Sequence, residues 1–409
     1  MRSMTDLYKV LLSKTRNLVY FGDSFEVRQD EFLKAEFAVS FKVADEGSVS
    51  NLFVEMEDGG KCLEFLETTD LSLYESLAVK VNFENELEDV VSVSDVDKAV
   101  SKHGFYRQES LISDTDIGIS VYSRLKHRDV FLSYTNATTN GPGRVVSGLI
   151  SGLRNIGVEI TNESNNLGIL QATNHLMHRD GRNVVAGPNI CVLPSEMPNL
   201  ISGLKTYVVP SKWTFDIYSN SFKELKKENQ QFVMPTLKYW MAGVDSDHWK
   251  PSSTIKDYHN CFIYFKNRSE QELNIVTKVF ENLGMNVSVI RYGSYAPAEL
   301  KSVCDCSSFC VLLDGTESQG IAVMEILSMN VPIFVLDKTT WTYSDGRTFP
   351  ATSVPLFDSR CGRVVSGHLS KGQIDDFLRN LWTFKPRQFI LESFTLNQAA
   401  GKYMECFND

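Results

Sequence analysis

From Asp129 onward, short apolar runs alternate with segments of helical spacing, and this alternation is the strongest constraint on the fold. It predicts βα units built around parallel sheets. One series starts with the apolar run at 129–134 and extends to about residue 235. A second series follows the Pro- and Ser-containing stretch at 249–260 and reaches Asp337. We therefore predict an α/β fold with two Rossmann-like domains. Because open parallel sheets bind ligands at the carboxyl ends of their strands, we expect a binding cleft at those ends.

The residues before this region follow a different pattern. Strand-like alternation at 34–43, 77–83 and 117–123, with a helix-like stretch at 95–105, predicts an α+β unit without a recognisable nucleotide or metal motif. The role of this unit stays open. The predicted division is an accessory domain at 1–125, Rossmann-like domains at 126–250 and 251–385, and a C-terminal helix at 386–409 that packs back toward the first Rossmann-like domain.

Charge and hydropathy limit the partners. The net charge is −10 and no dense block of Lys and Arg occurs, so nucleic acid is not an expected partner. No apolar run approaches the roughly 18 residues of a membrane span, and the N-terminus lacks a secretory apolar core. We expect a cytoplasmic protein, and a peripheral contact with a membrane stays open.

Two groups of residues raise the question of a metal. Cys304, Cys306 and Cys310 cluster, but no second Cys/His pair follows them at the spacing of a zinc site. Aspartate pairs can hold hard cations, yet the pairs in this chain fit surface or capping carboxylates. We therefore expect no metal. The pairs are Asp95/Asp97, Asp114/Asp116 and Asp245/Asp247.

The segment 317–325, Glu-Ser-Gln-Gly-Ile-Ala-Val-Met-Glu, follows a predicted strand and opens a predicted helix. Free backbone N–H groups at the start of a helix suit a phosphate, and Gly320 lets a ligand approach the backbone closely. The carboxylate of Glu325 suits the two hydroxyls of a ribose, and that of Glu317 suits a transferred sugar. The same two glutamates also fit a charge at a helix start and a solvated helix face.

Other segments around this one resemble a known family. The two glutamates eight residues apart, followed by Ser328-Met329-Asn330-Val331-Pro332, resemble the donor-site signature of family 4 retaining GT-B glycosyltransferases. The match covers roughly residues 129–409, and further matching segments occur in the family's order. They are Val209-Pro210-Ser211-Lys212-Trp213, the stretch from Gly243 to Pro251, Tyr264-Phe265-Lys266-Asn267-Arg268, Tyr292-Gly293-Ser294-Tyr295, and the stretch from Thr352 to Asp358.

The resemblance implies a role for each matching residue. Lys266 and Glu317 are expected to be catalytic, Lys266 by neutralising the donor diphosphate and Glu317 by binding the sugar. The implied donor-binding set is Arg268, Gly293, Ser318, Gln319, Gly320, Ile321 and Glu325. On the acceptor side, the resemblance implies a glycine loop with Gly141, Gly143 and Arg144, and a cleft histidine, His175, close to His178. The family's usual Gly-Arg pair is replaced here by Phe265-Lys266.

The implied activity is transfer of a sugar, with retention of configuration, from a nucleotide-diphosphate sugar to a glycan, glycoprotein or lipid. The nucleotide sugar is a substrate in this reaction, and no cofactor is expected. Two alternatives stay open: a nucleotide-sugar epimerase on the same architecture, and a catalytically inactive GT-B module that binds a sugar or a protein partner. The sugar, the nucleotide and the acceptor are not specified by these motifs, because specificity depends on the site.

Overall fold

The computed structural model describes residues 129–134, 141–171, 181–252, 256–367 and 369–407, and the backbone of five earlier strands. The chain divides into two compact units. The first consists of Met1–Leu132, Leu149–Asn166 and Asn397–Asp409, and the second of Ser133–Gly148 and Leu167–Leu396.

An antiparallel sheet of five strands lies in the first unit, in the order β1-β2-β3-β5-β4. Three of its strands match predicted ones, whereas β1 and β4 were not predicted. The helix predicted at 95–105 lies outside the described residues. The strands are β1 (Leu18–Tyr20), β2 (Phe37–Val43), β3 (Tyr74–Asn82), β4 (Tyr106–Ile112) and β5 (Gly118–Leu125).

Strand β6 (Asp129–Tyr134) follows this sheet and leads to helix α1 (Gly141–Asn155). In the first unit β6 pairs in parallel with β7 (Glu159–Ile160). The prediction of a glycine loop at 140–144 is wrong for Gly141 and Gly143, because both lie in the first turn of α1. Pro142 fits there, since a residue in the first helical turn does not need its backbone N–H.

The second unit holds a parallel sheet in the order β11-β10-β9-β8, in which β10 pairs in parallel with both β9 and β11. The first predicted series ends with a strand at 230–235, and this strand is wrong. Its Phe232 is buried beside Phe222, while Lys226 donates to the carbonyls of Gln230 and Phe232 and holds them in a turn. The elements are β8 (Asn166–Leu170), β9 (Asn183–Ala186), α2 (Pro198–Ile201), β10 (Thr206–Val209), α3 (Lys212–Glu228) and β11 (Thr236–Tyr239).

A second parallel sheet in the same unit has the order β13-β12-β14-β15-β18. Along β12, Cys261 and Ile263 join one hydrophobic core, and Phe262 and Tyr264 join another. Apolar side chains on both faces are typical of a parallel sheet covered by helices on both sides. The elements are β12 (Asp257–Lys266), α4 (Glu270–Glu281), β13 (Asn286–Arg291), α5 (Pro297–Cys306), β14 (Ser307–Asp314), α6 (Ile321–Ser328), β15 (Ile333–Asp337), β18 (Gly362–Ser366) and α7 (Lys371–Arg379).

Between β15 and β18 the chain forms a hairpin that was not predicted, β16 (Thr340–Thr342) and β17 (Thr348–Pro350). Its aromatic side chains pack on one another. Trp341 stacks on Phe349 with ring centroids 5.6 Å apart, and the Arg347 guanidinium lies over the ring of Tyr343. The hairpin therefore presents a preformed aromatic surface.

The chain ends with helices α8 (Pro386–Ser393) and α9 (Leu396–Glu405), in the region predicted to be helical. Buried Arg387 of α8 donates to the carbonyls of Ser246, Trp249 and Ser328. In the first unit, Asn155 at the end of α1 donates to Asn397 of α9 over 3.1 Å.

The predicted fold class is confirmed at the level of two Rossmann-like α/β sheets with an additional N-terminal sheet. The exact domain boundaries stay a prediction. Within the part of the chain that the structure describes, no helix combines the length and the apolar character needed to cross a membrane.

Candidate functional site

The site begins at the carboxyl ends of two neighbouring strands. Lys266 ends β12, Asp314 ends β14, and the two residues are partners in the parallel register. Each lies two residues after a core residue of its strand, Tyr264 or Leu312, and therefore points to the same face of the sheet, the one that α6 covers. The Asp314 carboxylate is 1% exposed and accepts the N–H of Gly315 over 2.6 Å. Strand register therefore brings an acidic and a basic residue together where the sheet meets α6.

The loop after β14 leads into α6, whose cap is Gly320 at φ 74°. A left-handed residue at this point is what glycine tolerates best. Two hydrogen bonds join the loop to Thr352 and Ser353. Glu317 N–H donates to the Thr352 carbonyl, and the Ser353 hydroxyl donates to the Gly315 carbonyl over 2.6 Å. The first-turn N–H groups of α6 have no partner within the helix.

Lys266 and Glu317 form an ion pair at the centre of the site. The side chains are 15% and 13% exposed, and the Lys266 ammonium also lies 3.9 Å from Asp314 and over the ring of Tyr292. Burial lowers the pKa of Lys266, against the opposing effect of Asp314. Burial raises the pKa of Asp314 to about 6, although Lys266 acts in the other direction. One cation thus faces two carboxylates in a poorly solvated place.

A second ion pair joins Arg144 of α1 to Glu325 of α6. Glu325 is 2% exposed, and among the described residues its Oε2 has no hydrogen-bond partner. Burial lowers the pKa of Arg144, which the neighbouring Tyr295 opposes. Arg144 therefore covers a buried carboxylate that retains an unused acceptor atom.

Arg268 is held differently from the other residues of the predicted donor set. Its guanidinium donates to the Glu272 carboxylate and to the carbonyls of Asp314 and Leu336. Like Glu325, it lines neither of the cavities described next. Its contacts tie the ends of β14 and β15 to the start of α4.

Two cavities of about 470 Å³ each open at this site, a size typical of small-molecule sites. The first, called the tyrosine cavity, is lined by the phenol rings of Tyr264, Tyr292 and Tyr295. It brings together most of the predicted donor residues with the start of α1. Its other lining residues include Gly141, Arg144, Gly293, Asp314, Gly320 and Ile321.

The second, called the tryptophan cavity, is lined by Trp213 at the start of α3 and by Trp341 of the hairpin. The two indole centroids lie 5.9 Å apart, and Trp213 Nε1 donates to the Glu317 carbonyl over 2.8 Å. The orientation of Trp213 follows from a capping box in which Ser211 and Thr214 satisfy each other's backbone N–H groups. Further lining residues include Cys191, Glu196, Tyr207, Thr214, Tyr218 and Thr316.

The two cavities meet at Lys266, Glu317, Ser318 and Asn189, which line both. The Lys266–Glu317 ion pair therefore lies between the tryptophan cavity and the tyrosine cavity, and the start of α6 lines the latter. Two ligands, one in each cavity, would both reach it.

Sequence reasoning did not identify several of these residues. Asp314 looked like the end of an apolar strand, and Trp341 lies in an unpredicted hairpin. Asn189 and Trp213 had weak signals, a loop after a strand and a matching Pro-Ser turn. His175 and His178 lie outside the described residues. Among the residues that the structure describes, no three His, Cys, Asp or Glu side chains gather as a metal site, and the expectation of metal independence stays a prediction.

No protein-family model matches the chain, and no curated protein matches it in sequence. Solved structures do show similarity of fold. A TarM variant of S. aureus in complex with fondaparinux, α-GlcNAc-glycerol and UDP aligns with a TM-score of 0.37 and 11% identity, over 61% of this chain and 56% of that chain. The chain thus spans little more than half the length of that protein.

Two further structures have similar scores. The catalytic domain of starch synthase IV from Arabidopsis thaliana, bound to ADP and acarbose, aligns with a TM-score of 0.36 and 8% identity over 59% of this chain and 72% of that chain. Sucrose-phosphate synthase from Thermosynechococcus elongatus aligns with 0.36 and 10% identity, over 67% and 72%. These three alignments concern the fold alone.

Proposed function

We propose that the protein transfers a sugar from a nucleoside-diphosphate sugar to an acceptor hydroxyl, with retention of configuration. The observation that carries this proposal is the meeting of the two cavities at the Lys266–Glu317 ion pair. A transferase must hold a donor and an acceptor on either side of one reacting atom, because proximity and orientation supply much of its rate.

The tyrosine cavity suits the donor. The diphosphate of the donor would lie against Lys266 and the first-turn N–H groups of α6, where a cation and the helix dipole both favour negative charge. The phosphate would replace Glu317 as the partner of Lys266. Glu317 would then accept a hydrogen bond from a hydroxyl of the sugar.

Glu325 and Arg144 suit the ribose. The unpartnered Oε2 of Glu325 offers an acceptor to a hydroxyl, but Arg144 stands between this carboxylate and the cavity. Donor binding would therefore displace Arg144 toward the phosphates.

In the transfer step, the bond between the sugar C1 and the β-phosphate oxygen breaks while the acceptor oxygen forms a bond to C1 on the same face. The acceptor proton passes to an oxygen of the departing diphosphate. Lys266 stabilises the charge that develops on this leaving group, and such preorganised charge acts on the transition state itself. Retention rests on the resemblance in sequence and is part of the proposal.

A thermal-shift screen with UDP-, GDP-, ADP- and dTDP-sugars tests donor binding, since a ligand that binds the folded state raises the Tm. Lys266→Met should abolish the shift, whereas Lys278→Ala, at an exposed position of α4, should leave it unchanged. The Tm of each variant without ligand separates loss of binding from loss of folding. No shift with any nucleotide sugar would contradict the proposal.

Product analysis separates the alternatives. Incubation with the donor alone yields a different nucleotide sugar if the protein is an epimerase, and an inactive module binds the donor without consuming it. A transferase releases the nucleoside diphosphate and a glycoside. The anomeric proton coupling of that glycoside reports retention, and an inverted product would overturn that part.

A further inference from the structure

The tryptophan cavity has a wall built by distant parts of the chain. Trp213 comes from the first turn of α3 and Trp341 from the hairpin, and their rings pack 5.9 Å apart at 54°. Each indole is about half-buried, so each retains free surface toward the cavity. Aromatic rings with free faces bind flat, weakly polar surfaces well.

This wall is held in place by polar contacts. Tyr343 of the hairpin donates its hydroxyl to Glu196, whose other carboxylate oxygen accepts the Val192 N–H over 2.9 Å. Trp213 donates to the Glu317 carbonyl. A wall with fixed ring positions costs a ligand little ordering entropy, so it is preorganised for binding.

The remaining lining is polar enough to distinguish ligands. Asn189, Glu196, Thr316 and Ser318 interrupt the apolar surface, and Cys191 lies beside the buried hydroxyls of Tyr207 and Tyr218. An alkyl chain would take Asn189, Thr316 and Ser318 out of water and offer them no hydrogen bond, which is costly. A sugar ring fits both features, because its C–H face can pack on an indole while its hydroxyls reach carboxylate and amide groups.

We propose that the Trp213–Trp341 wall binds a ring of a carbohydrate acceptor, so that the protein extends an oligosaccharide. This inference rests on the proposed function, since it places the acceptor hydroxyl next to Glu317 and Lys266. The acceptor is then an oligosaccharide, and Trp213 and Trp341 determine which one is bound.

Acceptor binding can be measured without turnover. Titration calorimetry of the wild-type protein with maltotetraose, cellotetraose, chitotetraose, mannotetraose and xylotetraose should give saturable binding to at least one of them. Trp341→Ala should weaken that binding by about tenfold, the size expected for loss of one stacked ring. The matched control is Trp382→Ala, because Trp382 is exposed, stacks on Tyr258 and lines neither cavity.

Trp213 separates stacking from the hydrogen bond. Trp213→Phe keeps an aromatic face but loses the donor to the Glu317 carbonyl, whereas Trp213→Ala loses both. If stacking binds the acceptor, the Phe variant should retain most of the oligosaccharide affinity and the Ala variant should lose about tenfold. The nucleotide-sugar thermal shift should stay unchanged in Trp341→Ala.

Two outcomes overturn the inference: no saturable binding to any of the oligosaccharides, or equal affinity in Trp341→Ala and Trp382→Ala. Transfer to diacylglycerol in phosphatidylcholine vesicles, but not to oligosaccharides, would assign the acceptor to lipids and also overturn it. Failure of the proposed function has a different signature, in which oligosaccharides bind through Trp341 but no nucleotide sugar is bound or consumed.

Discussion

At the carboxyl end of β14, Asp314 shows how a single buried carboxyl can be both costly and useful. Its pKa is raised to about 6 because burial disfavours the charged form, although Lys266 and the Gly315 N–H counteract this. Together with Glu317 it keeps a buried ammonium charged in a place that favours neutral groups. The residue therefore lowers stability near neutral pH in exchange for a localised positive charge at the proposed diphosphate position.

The pH dependence of stability tests this view of Asp314. Because the folded pKa lies above the unfolded value near 4, the carboxyl favours the folded state fully below about pH 4, and this contribution is lost as the pH rises through about 6. Asp314→Asn resembles the protonated form at every pH. We expect the variant to gain about 2–3 kcal/mol over wild type between pH 4 and pH 8, as the pKa difference implies.

Urea unfolding at pH 4, 5, 6, 7 and 8 measures this gain. Asp216→Asn, at an exposed position of α3, is the control and should follow the wild-type curve throughout. A constant difference between Asp314→Asn and wild type across the range would show that the carboxyl does not titrate there.

At the scale of the element, the turn from β14 into α6 decides where the phosphate would lie. Gly320 at φ 74° places the first amides of α6 on the tyrosine cavity, and the segment from Thr352 to Ser353 holds the loop beneath. A Cβ at Gly320 would meet Val323 only at ordinary contact distance, 3.6 Å. Backbone conformation, and not space, therefore requires glycine at this point.

Gly320→Ala should consequently cost about 1–2 kcal/mol of stability from the left-handed conformation alone. Because the variant can relax that strain by moving the start of α6, we also expect at least a tenfold weaker affinity for the nucleotide sugar, measured by titration calorimetry. Gly284→Ala is the matched control, since Gly284 has φ +81° and open space around it. It should lose similar stability and keep its donor affinity; equal affinity losses in both variants would remove the special role of α6.

Across the second unit, the segment from Gly243 to Trp249 is joined to distant parts of the chain. Val244 N–H donates to the Phe394 carbonyl, and buried Arg387 donates to three carbonyls around the segment. Gly243 packs against Thr395 so closely that a Cβ would lie 2.8 Å from Leu396 Cα. Within the second unit, the segment from Gly243 to Trp249 and the turn at 394–396 are therefore joined by a tight backbone contact.

Gly243→Ala should destabilise the protein by about 1–3 kcal/mol, the usual cost of overpacking, because backbone atoms must move. Gly148→Ala offers a comparison, since its added Cβ would first meet the flexible end of Leu396 at 3.3 Å. Thermal unfolding should show a clearly lower Tm for the first variant and a smaller change for the second. Similar Tm values would contradict the backbone contact.

Local signals in the sequence were sufficient for the two parallel sheets and for the turn at Gly320. Apolar periodicity is a property of neighbouring residues, so the strands from β12 to β15 and helices α4, α5 and α6 could be predicted within a few residues. The pattern around the start of α6 also selected Glu317, Gly320 and Glu325, whereas Lys266 was selected by the resemblance to a known family.

What lies opposite these residues depended on tertiary structure. The pairing of Lys266 with Asp314 follows from strand register, and that of Arg144 with Glu325 joins residues 181 positions apart. The hairpin that carries Trp341 has no strong periodicity, and its ring meets Trp213 only after the chain has folded. Sequence by itself determined which segments carry charge and glycine, whereas the fold decided which of them share a cavity, because contacts between distant segments leave no local pattern.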